Sequence, residues 1–159
     1  MPVPFCALGI SGDFDFNSPV KYNRGAMEKD IKELYEAALD VKKRAYAPYS
    51  DFHVGSALRT KNGKVFTGCN VENSSYGVTI CAERNAIFKM VSEGEQEIFE
   101  ILVIGDTEKF LPPCGACRQV IAEFSKEDTR VIMCNKKGEF KETTVGEILP
   151  FGFSLNDDR

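Results

Sequence analysis

The spacing of three cysteines and one glutamate in the middle of the chain restricts its fold more than any other feature. Cys81 stands two residues before Glu83, and a second segment carries Cys114 and Cys117 directly after Pro113. A catalytic zinc ion takes three protein ligands and leaves its fourth position to a water molecule. The three thiols therefore predict a Zn²⁺ site that joins two distant segments, with the Glu83 carboxylate beside the metal and not bound to it.

Two other interpretations of these cysteines stay open at this point. Cys114 and Cys117 alone could form a redox pair, although such pairs usually accompany a thioredoxin-like βαβ pattern. A purely structural zinc needs four ligands, and the fourth would come from Cys69, Cys134 or His53. A catalytic zinc is favoured because it needs three protein ligands, which is the number of thiols in the motif. It also explains the nearby Glu83 carboxylate, which could transfer protons.

Both cysteine segments are expected to begin helices. Proline is tolerated at a helix entry, so Pro113 predicts a helix on which Cys114 and Cys117 lie on adjacent turns of one face. Cys81 also stands where a helix begins, and the positive end of a helix dipole favours thiolate over thiol. Because three thiolates outweigh the charge of one Zn²⁺, we expect Arg84 to donate hydrogen bonds to the sulfurs.

Hydrophobic periodicity predicts the remaining elements. Apolar residues at helical spacing from Ile31 to Ala45 indicate a helix that Pro48 stops, and Asn62-Gly63 is typical of a hairpin between two strands. Residues 71–80 are expected to form a loop. The expected strands are 53–60, 64–69, 98–105, 130–134 and 139–144, and the expected helices after the first begin near Cys81, Cys114 and Val145.

This order predicts an α/β fold of three layers, α/β/α, with a five-stranded mixed sheet whose helices link parallel neighbours. The last two strands must be antiparallel because their connection is short. Residues 1–25 show no period and are expected to be a poorly ordered N-terminal extension. Residues 26–159 are predicted to form one domain.

The composition of the sequence limits the classes of molecule that the protein is expected to bind. The net charge is -4 and the pI is about 5.2, so the chain lacks the basic footprint of a protein that binds nucleic acid. A small, roughly neutral substrate fits better. No stretch is long and apolar enough for a membrane span, and residues 3–10 lack the basic start of a secretory signal. The sequence therefore predicts a cytoplasmic protein.

Beyond the metal motif, the chain resembles the cytidine deaminases, in particular the small homotetrameric branch with three cysteine ligands. The resemblance extends from about residue 28 to 157. It implies one Zn²⁺ per chain, hydrolytic deamination of cytidine and deoxycytidine in pyrimidine salvage, and a homotetramer with shared active sites. The segments that carry it are Ala45-Tyr46-Ala47-Pro48-Tyr49-Ser50, Phe52 with Val54-Gly55, Gly68-Cys69-Asn70-Val71-Glu72-Asn73, Cys81-Ala82-Glu83-Arg84, Pro113-Cys114-Gly115-Ala116-Cys117-Arg118-Gln119 and Leu149-Pro150.

The resemblance also implies roles for single residues. Glu83 would transfer a proton from the nucleophilic water to N3 of cytosine and later assist the departure of ammonia. The implied contacts with substrate are Asn70 and Glu72 to the ribose hydroxyl, the Ala82 backbone to the pyrimidine, Phe52 packed on the nucleoside, and Tyr76 near the sugar. Phe153 would reach the active site of a neighbouring subunit.

Without the resemblance, three of these residues have simpler interpretations. Asn70 and Glu72 would be solvated residues at the end of a strand, since exposed polar residues usually are. Phe153 would anchor the C-terminus to the core. His53, the single histidine, is expected to be a strand residue that does not bind the metal.

Three alternative functions remain after the resemblance is taken into account. They are deamination of a polynucleotide or tRNA, deamination of a nucleoside antibiotic of the blasticidin type, and a zinc-stabilised binding module without turnover. The acidic composition disfavours the first, the segment Asn70-Val71-Glu72-Asn73 disfavours the second, and Glu83 disfavours the third.

Overall fold

The computed structural model of the protein describes residues 22–23 and 29–155. These residues form six strands and four α-helices. The strands are β1 (Tyr22–Asn23), β2 (Val54–Thr60), β3 (Val65–Cys69), β4 (Ile98–Gly105), β5 (Arg130–Cys134) and β6 (Phe140–Thr144). The helices are α1 (Lys29–Lys42), α2 (Ala82–Ser92), α3 (Gly115–Glu123) and α4 (Val145–Ile148), with a single 3-10 turn at Tyr76–Val78.

All strands belong to one mixed sheet in the order β1-β6-β5-β4-β2-β3. The pair β4–β5 is parallel and every other pair is antiparallel. The five predicted strands are therefore confirmed. The two-residue strand β1 adds a sixth at the edge, where Tyr22 pairs with Lys141 and Asn23 with Phe140.

Tyr22 and Asn23, which belong to the expected N-terminal extension, pair with β6. Two paired residues are too short a segment for hydrophobic periodicity to reveal. The rest of the expected extension lies outside the described residues. The division into an extension and a domain stays a prediction.

The prediction that helices link parallel neighbours is correct for α3, which joins β4 to β5, and wrong for α2. Strand β2 lies between β3 and β4 and is antiparallel to both. The hairpin at Asn62-Gly63 is confirmed, and Gly63 has the positive φ of 84° that such a tight turn requires. Helix α2 connects β3 to β4, which are not neighbours in the sheet. Because β2 lies between them, this connection crosses over one strand.

Helices cover both faces of the sheet, which confirms the three-layer architecture. On one face Ile31, Leu34 and Ala38 of α1 pack with residues of the sheet such as Leu102 and Ile132. On the other face the buried residues of α2 and α3 pack against the opposite sides of the same strands: Ala86, Ile87, Met90 and Ile121 with Leu58, Val103 and Val131. The sheet is therefore buried on both sides.

Helix α1 ends at Lys42, earlier than the predicted stop before Pro48. The backbone of Tyr46 instead pairs with the segment after β3: its N–H donates to the Asn70 carbonyl at 3.0 Å, and its carbonyl accepts from the Glu72 N–H at 2.8 Å. These two hydrogen bonds provide partners for the N–H and carbonyl of Tyr46, so its backbone does not need a helix. Ala45 therefore belongs to the connection although it continues the helical spacing.

Helix α2 lies directly on the backbone of β3 at Gly68. A Cβ atom at this position would overlap the backbone N of Ala86 and the backbone O of Ala82, and it would lie 2.9 Å from the backbone C of Asn85. Only glycine permits this approach. A second contact holds the same turn, because the Asn85 side-chain amide donates to the Cys69 carbonyl at 2.8 Å.

Gly68→Ala is expected to lower the free energy of unfolding by about 1–3 kcal/mol, because the first turn of α2 must move away from the sheet. Urea unfolding measures this change. Gly77→Ala is the matched control, since a Cβ at Gly77 meets nothing within 4 Å, and it should unfold like the unaltered chain. Equal stability of the two variants would show that α2 does not depend on the close approach.

Candidate active site

Three thiols converge where α2 and α3 begin. The sulfur atoms of Cys81, Cys114 and Cys117 all lie within 4.8 Å of one another, and the Cys81 and Cys114 sulfurs are 3.8 Å apart. Cys81 is the N-cap of α2 and Cys114 is the N-cap of α3. Two helix N-termini therefore point their unpaired N–H groups and positive dipole ends at one cluster of sulfurs.

Cys81 is the thiol of the cluster that favours the thiolate form. The pKa of Cys81 falls to about 5, first because the Cys117 thiol donates a hydrogen bond to it and also because Arg84 and Cys114 do so. The pKa of Cys117 is raised, because its proton serves that hydrogen bond and because the thiol is buried. A negative sulfur at the start of a helix is the form that binds a metal.

The donor set fits zinc. Three sulfur ligands suit a soft or borderline cation, and three protein ligands with an open fourth position are typical of a catalytic zinc. Within residues 22–23 and 29–155 no other His, Cys, Asp or Glu joins this group. A four-ligand structural site that includes Cys69, Cys134 or His53 is therefore not formed, and a redox pair leaves the third thiol unexplained.

Glu83 lies in the first turn of α2, next to the thiols and outside their ligand group. Its side chain is buried, with the residue only 4% exposed. Burial raises the pKa of Glu83 to about 7, and the charge of Cys81 acts in the same direction. A carboxyl group with a pKa near neutrality can both accept and donate a proton at physiological pH.

Arg84 contacts the cluster as the sequence led us to expect. Its Nη2 atom donates to the Cys81 sulfur at 3.5 Å and to the Thr79 carbonyl at 3.2 Å. Its Nε atom is buried without a hydrogen-bond partner among the described residues. The guanidinium brings a positive charge beside sulfurs that carry negative charge. Its influence on the metal stays a prediction.

Asn70 is not the solvated residue that its type alone suggests, whereas Glu72 is partly exposed and held by hydrogen bonds. Asn70 is buried, and its side-chain amide accepts from the Val54 N–H and donates to the Phe52 carbonyl, both at 2.8 Å. The Glu72 carboxylate accepts from the Tyr49 N–H at 2.9 Å and from the Ser50 hydroxyl. These hydrogen bonds hold the pKa of Glu72 below its usual range.

The other predicted substrate contacts occupy different surroundings. Phe52 is half-buried and packs against the core beside Gly105 at the end of β4. Ala82 is buried as the first residue of α2, where a helix offers no partner for the N–H. Tyr76 is exposed in the 3-10 turn, and its ring meets Tyr49 edge to face at 5.9 Å between centroids.

Phe153 is 71% exposed, so its interpretation as a core anchor is wrong. Its carbonyl accepts a hydrogen bond from the Gln119 side chain at 2.9 Å, which holds the backbone of the tail on α3. Phe151 and Leu155 of the same tail are also exposed. His53 directly precedes β2 and does not lie in the strand as predicted; it is outside the thiol group, and its Nδ1 atom lies 3.4 Å from the Asp106 carboxylate.

Three residues that position the site were not identified from the sequence. Gly68 lets α2 approach the sheet, Ser50 hydrogen-bonds to Glu72, and Arg118 binds the carbonyl that precedes Cys114. Each lies in a segment that carries the family resemblance. Their contacts depend on the packing of distant segments, so the sequence pattern alone offers no signal for their individual roles.

Comparison with known families agrees with this geometry. Residues 28–134 match the family described as "Cytidine and deoxycytidylate deaminase zinc-binding region". The chain belongs to this family. The matched range contains all three clustered cysteines and Glu83, and the family is one that binds zinc.

Individual deaminases are similar along most of the domain. The chain is 48% identical to a cytidine deaminase of Halalkalibacterium halodurans over 128 residues, which is 80% of this chain and 97% of that protein. The crystal structure of cytidine deaminase from Burkholderia pseudomallei matches 77% of this chain and 98% of its own, with 47% identity and a TM-score of 0.74. A blasticidin-S deaminase of Bacillus cereus is 30% identical over 132 residues, covering 78% of this chain and 92% of its own.

Among residues 22–23 and 29–155, no helix is long and apolar enough to cross a membrane.

Proposed function

We propose that the chain catalyses the zinc-dependent hydrolysis of cytidine and deoxycytidine to uridine and deoxyuridine. One observation carries this proposal: a buried carboxylate, Glu83, stands beside three clustered thiols at two helix N-termini. The similarity of the chain to proteins named cytidine deaminase supports the choice of substrate. The lower identity to a blasticidin-S deaminase makes the antibiotic a weaker candidate.

The reaction adds water to C4 of the pyrimidine and releases ammonia. Cys81, Cys114 and Cys117 would hold the zinc ion, which when bound would supply Lewis-acid activation of the water by lowering its pKa. Glu83 accepts a proton from the water and gives it to N3 of the ring, so that C4 becomes tetrahedral without a build-up of charge. Glu83 then helps to move a proton to the departing nitrogen. Its burial keeps the proton from exchanging with bulk water.

Binding of the nucleoside is assigned to the residues around the thiols. Asn70 and Glu72 bind the ribose, with the remaining lone pairs and the second amide hydrogen that their internal hydrogen bonds leave available. The Ala82 backbone faces the pyrimidine, Phe52 packs on the nucleoside and Tyr76 lies near the sugar. Arg84 moderates the negative charge of the sulfurs.

An absorbance assay tests the substrate. Purified zinc-loaded protein is mixed separately with cytidine, deoxycytidine, cytosine, blasticidin S and a short single-stranded oligodeoxynucleotide. Loss of the cytosine chromophore with the two nucleosides alone is the expected result. Turnover of the oligonucleotide or of the antibiotic alone would replace the proposal with one of the other deaminase functions, and no turnover of any compound would favour a binding module.

The chain is further proposed to act in the cytoplasm as a homotetramer whose active sites share Phe153. The exposed tail supports sharing, because Phe151, Phe153 and Leu155 leave their apolar side chains uncovered within one chain. Large exposed aromatic side chains in one segment are typical of a surface that contacts another protein. Free thiols in the described part of the chain agree with a reducing compartment.

Mixed assemblies of two variants are expected to recover sites with near-native affinity. Glu83→Gln removes turnover from one chain, and Phe153→Ala weakens substrate binding at the site that this side chain enters. In a mixed tetramer, some sites combine Glu83 of the Phe153→Ala chain with an intact Phe153 from its neighbour. Native mass spectrometry identifies the mixed assemblies, and kinetics then measures KM for cytidine.

The control for this experiment is each variant assembled alone, since neither contains a site with both residues intact. A component with the KM of the unaltered protein should appear only in the mixture. Kinetics equal to the weighted average of the two parents would mean that Phe153 serves its own chain, and the shared-site proposal would fail.

A further inference from the structure

Of the three clustered thiols, Cys114 is the least buried by neighbouring side chains. Cys117 is buried and Cys81 is half-buried beside Arg84, whereas Cys114 is exposed. Its side chain makes no capping hydrogen bond at the start of α3. Apart from its 3.8 Å contact with the Cys81 sulfur, the Cys114 side chain takes its direction from its backbone, and contacts that fix this backbone fix one of the three sulfurs.

Arg118, one turn along α3, holds the backbone on both sides of Cys114. The Arg118 N–H donates to the Cys114 carbonyl at 2.9 Å, as the first hydrogen bond of the helix. Its Nε atom returns past the helix start and donates to the Pro113 carbonyl at 2.8 Å. The peptide planes before and after Cys114 are thus both bound to one residue, which restricts the two backbone dihedrals that aim the thiol.

The same guanidinium reaches the C-terminal segment. Its Nη1 atom donates to the carbonyl of Ile148 at 3.2 Å, at the last residue of α4. The next residue on α3, Gln119, donates from its side chain to the Phe153 carbonyl at 2.9 Å. Two consecutive residues of α3 therefore bind both ends of the segment from Ile148 to Phe153.

We propose that Arg118 is a positioning residue that aims Cys114 at the metal and couples the metal centre to the C-terminal segment. Its side chain joins the Pro113 carbonyl, which precedes a zinc ligand, to the Ile148 carbonyl, which precedes the tail. The Arg118 link ends at the Ile148 carbonyl, so the Gln119 bond to Phe153 can be lost while the peptide that orients Cys114 stays held. The inference rests on the proposed zinc site and does not depend on which nucleoside is the substrate.

Zinc release measures the first part of the proposal. Arg118→Met keeps an unbranched apolar stem and removes both side-chain donors, so zinc should leave about 10–100-fold faster in the presence of a chromogenic chelator. Gln119→Leu is the matched control, because it loses only the hydrogen bond to the tail and should release zinc at the unaltered rate. Arg118→Lys, which keeps the charge but not the fork, should lie between them.

Cobalt provides a readout that a general loss of stability does not move. The Co²⁺-substituted protein absorbs in the visible range according to the geometry of its thiolate ligands, so Arg118→Met should shift this band and Gln119→Leu should not. Coupling to the tail is measured by KM for cytidine, which both variants should raise. If Arg118→Met does not fold, the comparison of Arg118→Lys with Gln119→Leu serves the same purpose.

Two results would overturn the proposal. An unchanged release rate and cobalt spectrum in Arg118→Met would mean that Cys114 is oriented without Arg118. Equally fast release from Arg118→Met and Gln119→Leu would mean that any change on α3 loosens the metal. A protein that fails to deaminate cytidine but shows the expected release rates would leave the positioning role intact and remove only the proposed function.

Discussion

Glu83→Gln is expected to lower kcat for cytidine by about 10²–10⁴-fold or more while the protein keeps its fold and its zinc, because general acid–base transfer alone contributes that much. The amide has nearly the shape of the carboxyl group but cannot accept and return a proton. Glu83 is 4% exposed and lies outside the thiol group, so the exchange leaves the ligands in place. Stopped-time assays of uridine formation measure the loss.

Zinc content and thermal unfolding of the same preparation are the controls for Glu83→Gln. The buried carboxyl group has its pKa raised to about 7 by burial, so an amide is tolerated there at least as well as a charge. Near-normal turnover in this variant would remove Glu83 from the mechanism. Loss of zinc together with activity would instead give Glu83 a role in holding the metal.

Cys117→Ala is expected to remove most of the bound zinc and with it the activity. The variant leaves two thiols, and two ligands do not retain zinc against a chelator as three do. Cys134→Ala is a close control, because both cysteines are fully buried and both variants remove the same atom. Cys134 lies outside the ligand group, and burial raises its pKa to about 12, so its thiol stays protonated.

Elemental analysis after gel filtration decides this comparison. One zinc per chain should remain in Cys134→Ala and a small fraction of that in Cys117→Ala. Full zinc in both variants would exclude Cys117 from the site, and loss of zinc from both would mean that any cavity in the core disrupts it. The three-thiol centre would be supported if circular dichroism shows that both variants are folded while only Cys117→Ala has a low zinc content.

Residues with a local physical signature could be predicted from the sequence. The cysteine spacing identifies a cluster whose sulfurs the fold brings within 4.8 Å, because both N-cap positions follow from strand-to-helix connections. Gly63 with Asn62 identifies the hairpin, since the turn needs a positive φ. Continuous apolar runs identify the central strands because both faces of the sheet are covered.

Features that depend on pairing between distant segments could not be predicted. The position of β2 between β3 and β4 follows from which edges meet, and hydrophobic periodicity does not encode that choice. The burial of Asn70 follows from its hydrogen bonds to Phe52 and Val54, which appear only when β2 lies beside β3. The exposure of Phe153 is equally invisible, since an aromatic residue alone favours burial.

The strand order also determines when a metal can enter during folding. Cys81 belongs to the segment after β3 and Cys114 to the segment after β4, and these two strands never touch because β2 separates them. In the folded sheet the sulfurs come together across β2, so we expect the complete site to form late in folding, after β2 has paired along both of its edges. Contacts that form so late slow unfolding and leave the folding rate nearly unchanged. We therefore expect bound zinc to slow unfolding of the completed sheet and to leave its folding rate nearly unchanged.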